Sequence, residues 1–185
     1  MKKIHVRFQS RFSRYNPSVE INQAVPEFVL PDLQGKLYAL SAFLGRLVVV
    51  NFWSAECPWS ERADRHLIEI TKKFPDRTVL LPVASNRNDT GELIRTAMQQ
   101  RGLDFVLVDA SSELANTWGA QTTPHAFVID QSGILRYKGA VDDVTFRKRV
   151  PEKFYVEEAV KALLAGHLPE IQSTQAYGCT IVRSI

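Results

Sequence analysis

Cysteine is scarce in this chain: 185 residues hold two, Cys57 and Cys179, too far apart in sequence to form a metal-binding knuckle. That count excludes a disulfide-stapled secreted scaffold, and in a reducing compartment such a pair is more often catalytic than structural. No stretch approaches the ~18 consecutive apolar residues of a membrane span. No apolar run of ~7 or more follows the first lysines, as a secretory leader requires. The expectation is a cytoplasmic protein with no membrane partner. Acidic residues are missing before Glu20, whereas Lys2, Lys3, Arg7, Arg11 and Arg14 precede it. The whole chain carries +3, but without those five it holds 18 basic residues against 20 acidic, or −2. A body so close to neutral speaks against nucleic acid as a partner.

At 45% hydrophobic and 23% charged, the sequence has the make-up of an ordinary globular domain. We read a single domain over residues 1–185, with a basic arm (1–23), a core (24–166) and a tail carrying Cys179 (167–185). In the arm, Ile4, Val6 and Phe8 alternate with His5, Arg7 and Gln9, the period of a half-exposed strand at a sheet edge. An acid-poor segment with Arg and Ser also resembles an organellar transit peptide, although a period of two does not fit the helix such peptides form.

The core is organised around Val48-Val49-Val50-Asn51-Phe52-Trp53-Ser54-Ala55-Glu56-Cys57-Pro58-Trp59-Ser60. An apolar, β-branched run ends in a cysteine, and proline followed by i, i+3 spacing marks a helix start. Cys57 thus stands at a helix N-terminus, where unpaired N–H groups and the positive end of the dipole favour thiolate over thiol. Pro58 at the first helical position loses no hydrogen bond there. Glu56 opposes the effect, so only a modest lowering of the Cys57 pKa is expected. The bland alternative is a buried cysteine acting as a small hydrophobe.

Around this centre the pattern predicts a hairpin over Val25–Leu40 about an Asp32-Leu33-Gln34-Gly35 turn, and a short helical turn capped by Ser41 and ended by Gly45. A central strand follows from Leu47. The next helix, Trp59 to Phe74, sets Ala63, Leu67, Ile70 and Phe74 inward and leaves Glu61, Arg62, Asp64 and Arg65 elsewhere. Then come a strand Thr78–Ala84, a helix Thr90–Arg101 with Leu93, Ile94, Ala97 and Met98 inward, and a strand Phe105–Val108. A helix capped by Ser111 or Ser112 runs to Trp118. Strands His125–Ile129 and Ile134–Lys138 flank an Asp130-Gln131-Ser132-Gly133 turn, and a helix Glu152–Ala165 closes the core at Gly166. Alternating strands and helices with a final hairpin define an α/β protein with a central mixed sheet flanked by helices.

The element order resembles the thioredoxin-like fold, and three motifs narrow the resemblance to the redoxin group, the TlpA-like thioredoxins and AhpC/TSA-like proteins. These are VPEFVLPDLQGK at 25–36, VVVNFWSAECPWS at 48–60 and TTPHAFVIDQSGILRYKGAVDD at 122–143. The resemblance implies an N-terminal hairpin, a cis-proline at Pro124 beside the nucleophile, and substrate contact through the backbone of Thr123. An ordinary trans-proline opening an edge strand is the alternative. Three departures matter. Ser60 replaces the second cysteine of a thioredoxin motif, where its hydroxyl would face the thiolate or merely occupy a first helical turn. Asn51 stands where many thioredoxins place a buried carboxylate. Val50 and Pro124 fill the positions of the peroxiredoxin proline and peroxide-site arginine, although Ser54 matches. Trp53 and Trp59 flank the cysteine as an apolar collar for substrate, Trp53 serving equally as core. His66 and His125 read as structural or surface residues.

The tail segment Ala176-Tyr177-Gly178-Cys179-Thr180-Ile181 resembles the ending of one branch of these redoxins. Gly178 frees the backbone to approach another sulfur. The candidate site is therefore Cys57, Cys179 and Ser60 for catalysis with Thr123, Pro124 and Trp59 for substrate, and no metal or cofactor. The implied function is thiol–disulfide exchange, Cys57 attacking and Cys179 resolving. Its partners would be a protein or small-molecule disulfide and an external thiol reductant, thioredoxin or glutathione. A thiol peroxidase acting on peroxide and a redox-inactive peptide-binding module are the alternatives.

Overall fold

The computed structural model describes residues 19–183. The predicted arm strand at residues 4–9 and the transit-peptide alternative lie outside them. A two-stranded antiparallel hairpin comes first, β1 (Val29–Pro31) and β2 (Leu37–Ala39), turned by Gly35 at φ +80. Asp32 Oδ1 accepts the N–H groups of Gln34 and Lys36 within that turn. A 3₁₀ turn (Leu40–Phe43) leads to Gly45. Ser41 lies inside it and its N–H donates to Glu27, so the predicted Ser41 cap is not made.

The central sheet has the order β5-β4-β3-β7-β8. Its members are β3 (Leu47–Trp53), β4 (Thr78–Ala84), β5 (Leu107–Val108), β7 (His125–Ile129) and β8 (Leu135–Gly139), with the two-residue β6 (Thr122–Thr123) just before β7. β3 runs parallel to β4 and antiparallel to β7, so the sheet is mixed. All seven residues of β3 are buried because helices cover both faces, which is why its sequence is a continuous apolar run and not an alternation. Val48, Val50 and Phe52 face Leu114, Ala115 and Trp118 of α3 (Glu113–Trp118). Leu47 and Val49 face α1 (Pro58–Lys72) and α4 (Tyr155–Leu164). Each such fully buried side chain contributes about 1.5–3 kcal/mol. α2 (Gly91–Arg101) covers Trp53 and Ala84 through Ile94 and Ala97, and its ends are Thr90, which accepts the N–H of Leu93, and Gly102 in the left-handed region.

Three further sequence expectations are corrected. α1 ends at Lys72, and Phe74 lies beyond it, 37% exposed, because Thr78 and Arg77 take up the carbonyls at that end. Asp64 is not outward: it is buried on the inner stripe between Ser60 and Leu67. Ser112 stands at the N-cap position of α3 but its side chain makes no cap: Asp109 accepts the N–H groups of Leu114 and Ala115 while the Ser112 hydroxyl donates to the Ser85 carbonyl. Of the two readings left open for Trp53, the core one holds: it is buried among Ala84, Ile94 and Ala97.

After α4 the chain crosses the sheet edge, Thr174 and Gln172 bonding to Lys138, and forms β9 (Cys179–Thr180) against β6. Among the described residues no helix is long and apolar enough to cross a membrane.

Candidate active site

Cys57 is the residue immediately before α1, with Pro58 opening the helix. The loop that delivers it is held from three sides. Asp89 Oδ1 accepts both the Ser54 hydroxyl and the Ala55 N–H at 3.1 Å. Arg101, at the end of α2, donates to the Ser54 carbonyl at 3.2 Å and to the Ala55 carbonyl. Its guanidinium also meets the buried carboxylate of Asp64 at 3.2 Å, and that carboxylate takes the Trp53 indole N–H at 2.8 Å. Burial raises the Asp64 pKa to about 6, against the opposing pull of Trp53 and Arg101. Burial likewise raises Asp89.

Opposite the loop, the Thr123–Pro124 peptide bond is cis, and the Thr123 carbonyl stands 3.1 Å from Cys57 Sγ. Cys179 pairs with Thr123 across the β6–β9 ladder, which places Cys179 Sγ 2.6 Å from Cys57 Sγ with both thiols free. The covalent S–S length is about 2.05 Å. Gly178 makes this approach possible: at φ +158, a Cβ on it would overlap the Thr123 carbonyl oxygen.

The two sulfurs differ in exposure and acidity. Cys57 is 1% exposed, whereas Cys179 is half-buried. Burial alone would raise the Cys57 thiol, but the Cys179 thiol, the Thr123 side chain and the backbone N–H groups of Ser60 and Cys179 favour its thiolate and bring the pKa below the ordinary cysteine value. Burial, and then the neighbouring Cys57, push Cys179 up. The pair is thus asymmetric, Cys57 being the more acidic sulfur and Cys179 the less acidic.

Of the sequence candidates, Cys57, Cys179, Thr123 and Pro124 meet at one point. Ser60 is buried beside them, but its hydroxyl accepts the Ser54 N–H at 3.3 Å, and it is the Ser60 backbone N–H that favours the thiolate. Trp59 is half-exposed and meets the ring of Phe146 edge-on at 5.0 Å. His66 reaches Glu157 at 3.3 Å, and His125 stacks on Phe127, with burial first and Lys138 second lowering its pKa to about 4. Sequence reasoning missed Asp64, Asp89 and Arg101. Asp64 left a signal, because Ser60, Ala63, Asp64, Leu67 and Thr71 share one helical stripe. Among the described residues no group of three or more His, Cys, Asp or Glu is placed to hold a metal.

A cysteine at the N-terminus of α1, a cis-proline facing it and a five-stranded mixed sheet beneath define a thioredoxin-fold redoxin. The chain belongs to the AhpC/TSA family, whose model matches residues 21–138. It is 31% identical over 127 residues to the thiol-disulfide oxidoreductase ResA of Bacillus cereus, covering 68% of this chain and 72% of that one. To the thiol:disulfide interchange protein DsbE of Allochromatium vinosum it is 28% identical over 132 residues, covering 68% and 71%. A solved hypothetical protein of Sinorhizobium meliloti superposes with a TM-score of 0.81 at 26% identity, over 90% of this chain and 96% of that one.

Proposed function

We propose that this protein is a thiol–disulfide oxidoreductase whose redox couple is Cys57 and Cys179. The observation that carries the reading is the 2.6 Å separation of the two sulfurs beside the cis Thr123–Pro124 bond. Reduction of a substrate disulfide RSSR proceeds by attack of the Cys57 thiolate on one sulfur, with RS⁻ leaving and a mixed disulfide forming. Cys179, losing its proton to solvent, then attacks Cys57 Sγ and expels the second RS⁻, leaving the Cys57–Cys179 disulfide. Two electrons pass from the protein to the substrate, and an external thiol returns them.

The similarity to ResA and DsbE supports this class of activity. The finer assignments rest on placement: Trp59 as an apolar wall, and thioredoxin or glutathione as reductant; the Thr123 backbone, expected to contact substrate, is instead paired with Cys179 of the tail. The scarcity of cysteine supports a cytoplasmic setting, in which a thiol pool supplies the reductant. The test is turnover of a disulfide substrate under a thiol reductant. Wild-type protein turns over, Cys57→Ser abolishes turnover, and Cys179→Ser leaves covalent mixed disulfide on Cys57. Undiminished turnover by Cys57→Ser would overturn the assignment.

A further inference from the structure

The resemblance to thioredoxin-like proteins implies that an extended substrate chain would add at the edge beside Thr123, but in this protein that edge is filled. Thr122 pairs with Thr180 and Thr123 with Cys179, and the Ile181 N–H continues the ladder to the Gln121 carbonyl at 2.9 Å. The intruding segment is anchored beyond the cysteine. Ile181 is 2% exposed and belongs to the same apolar cluster as Trp118. The Val182 N–H donates to Asn86 Oδ1 at 2.6 Å, the Val182 carbonyl accepts the Arg87 N–H at 2.8 Å, and Arg183 Nε donates to Asn116 Oδ1 at 2.5 Å. A second strand has no free backbone groups to pair with on that side of Thr123. Access follows the same division, because Cys57 is buried whereas Cys179, on the tail, is half-buried.

Taking the Cys57–Cys179 couple proposed above as its basis, we propose that residues 178–181 are a built-in occupant of the peptide-binding edge, so that the closed, oxidised protein is reduced by compact thiols attacking Cys179. The entering RS⁻ attacks Cys179 Sγ along the S–S axis. The Cys57–Cys179 bond breaks, its electron pair stays on Cys57, and an RS–Cys179 mixed disulfide forms. A second RS⁻ attacks the outer sulfur of that mixed disulfide, RSSR departs, and Cys179 leaves as thiolate and takes a proton from water. Two thiols are oxidised and one protein disulfide is reduced. The leaving-group order agrees with the access, since the thiol with the lower pKa leaves faster and Cys57 is the lowered one.

Two measurements on the full chain test this. First, protein shown by peptide mapping to carry the internal disulfide is mixed with less than one equivalent of glutathione, acid-quenched within milliseconds, blocked with a maleimide and mapped. Glutathione on Cys179 with maleimide on Cys57, in at least tenfold excess over the reverse, is expected; glutathione on Cys57 overturns the proposal while leaving the couple intact. If no internal disulfide can be formed, the couple itself fails and this inference with it. Second, oxidised wild type is reduced by glutathione and by an extended cysteine-containing peptide of matched thiol pKa. The peptide should be at least tenfold slower, and Asn86→Ala/Arg183→Ala, which frees the far end of the tail without opening the core, should narrow that gap at least threefold. Equal rates for the two reductants in wild type would overturn the proposal.

Discussion

Gly178 lies so close to the Thr123 carbonyl that a side chain at position 178 would overlap it. That contact sets the spacing of the β6–β9 ladder and brings Cys179 onto Cys57. Gly178→Ala is therefore expected to push the tail outward and slow formation of the internal disulfide at least tenfold, read by loss of free thiol after a pulse of oxidant. The fold should persist, since Ile181 remains as an anchor in the core.

The acidity of Cys57 depends on its partner. The Cys179 thiol and the Cys179 backbone N–H both favour the thiolate. Alkylation rate against pH should show an inflection below the usual cysteine value of about 8.5 in wild type. Cys179→Ser, which keeps a hydroxyl donor, should stay below it, and Cys179→Ala should titrate at higher pH than Cys179→Ser. An inflection at or above 8.5 in Cys179→Ser would remove the argument for an activated thiolate.

Most of the architecture was legible because β3 announces itself as an apolar run and the glycines at 102 and 166 mark helix ends, both with positive φ. The cysteine pair was legible only as a possibility of reach, since the register that seats Cys179 opposite Thr123 is set by pairing between segments more than 50 residues apart. The support behind Cys57 was legible only in the place of Asp64 on the inner stripe of α1. Asp64 has the residue type of a solvent-facing position, and its partners Trp53 and Arg101 come from different elements. Likewise Asp109 displaced Ser112 as the cap of α3 because it reaches two N–H groups from outside the helix.

Arg101 joins α2 to the loop before Cys57 and neutralises Asp64. Replacing it with methionine leaves a buried carboxylate unpaired, for an expected loss of about 3–5 kcal/mol by denaturant unfolding. Arg101→Met/Asp64→Asn should recover part of that loss. A simple sum of the two single effects would show that the groups do not act as a pair.

Asp64 also gives stability a pH dependence of defined sign. Its pKa rises from 3.8 in the unfolded chain to about 6 in the folded protein. Between those values the folded state binds more protons, so this group's contribution falls as pH rises through the window and is level above it. The span corresponds to at most about 3 kcal/mol. Unfolding free energies at pH 4 and pH 7 for wild type and Asp64→Asn should differ in that direction; an identical profile for both proteins would contradict the assignment.

Peroxide should be a poor substrate. Pro124 stands where a guanidinium would polarise the O–O bond, Arg62 is engaged by Asp142 at 2.6 Å, and Arg183 is engaged by Asn116 and the Ala120 carbonyl. The Ser54 hydroxyl is turned to Asp89. Stopped-flow oxidation of Cys57 by hydrogen peroxide is expected within about tenfold of an ordinary thiolate, whereas a far larger rate constant would reveal stabilisation of developing charge by another group.

The central claim is that one chain resolves its own mixed disulfide through Cys57 and Cys179, and non-reducing peptide mapping of mildly oxidised, dilute protein tests it most directly. A single cross-linked species containing residues 57 and 179, recovered from monomer, is the predicted result. Two cysteines recovered free, or each carrying its own glutathione, would contradict it and leave Cys57 as a one-thiol centre.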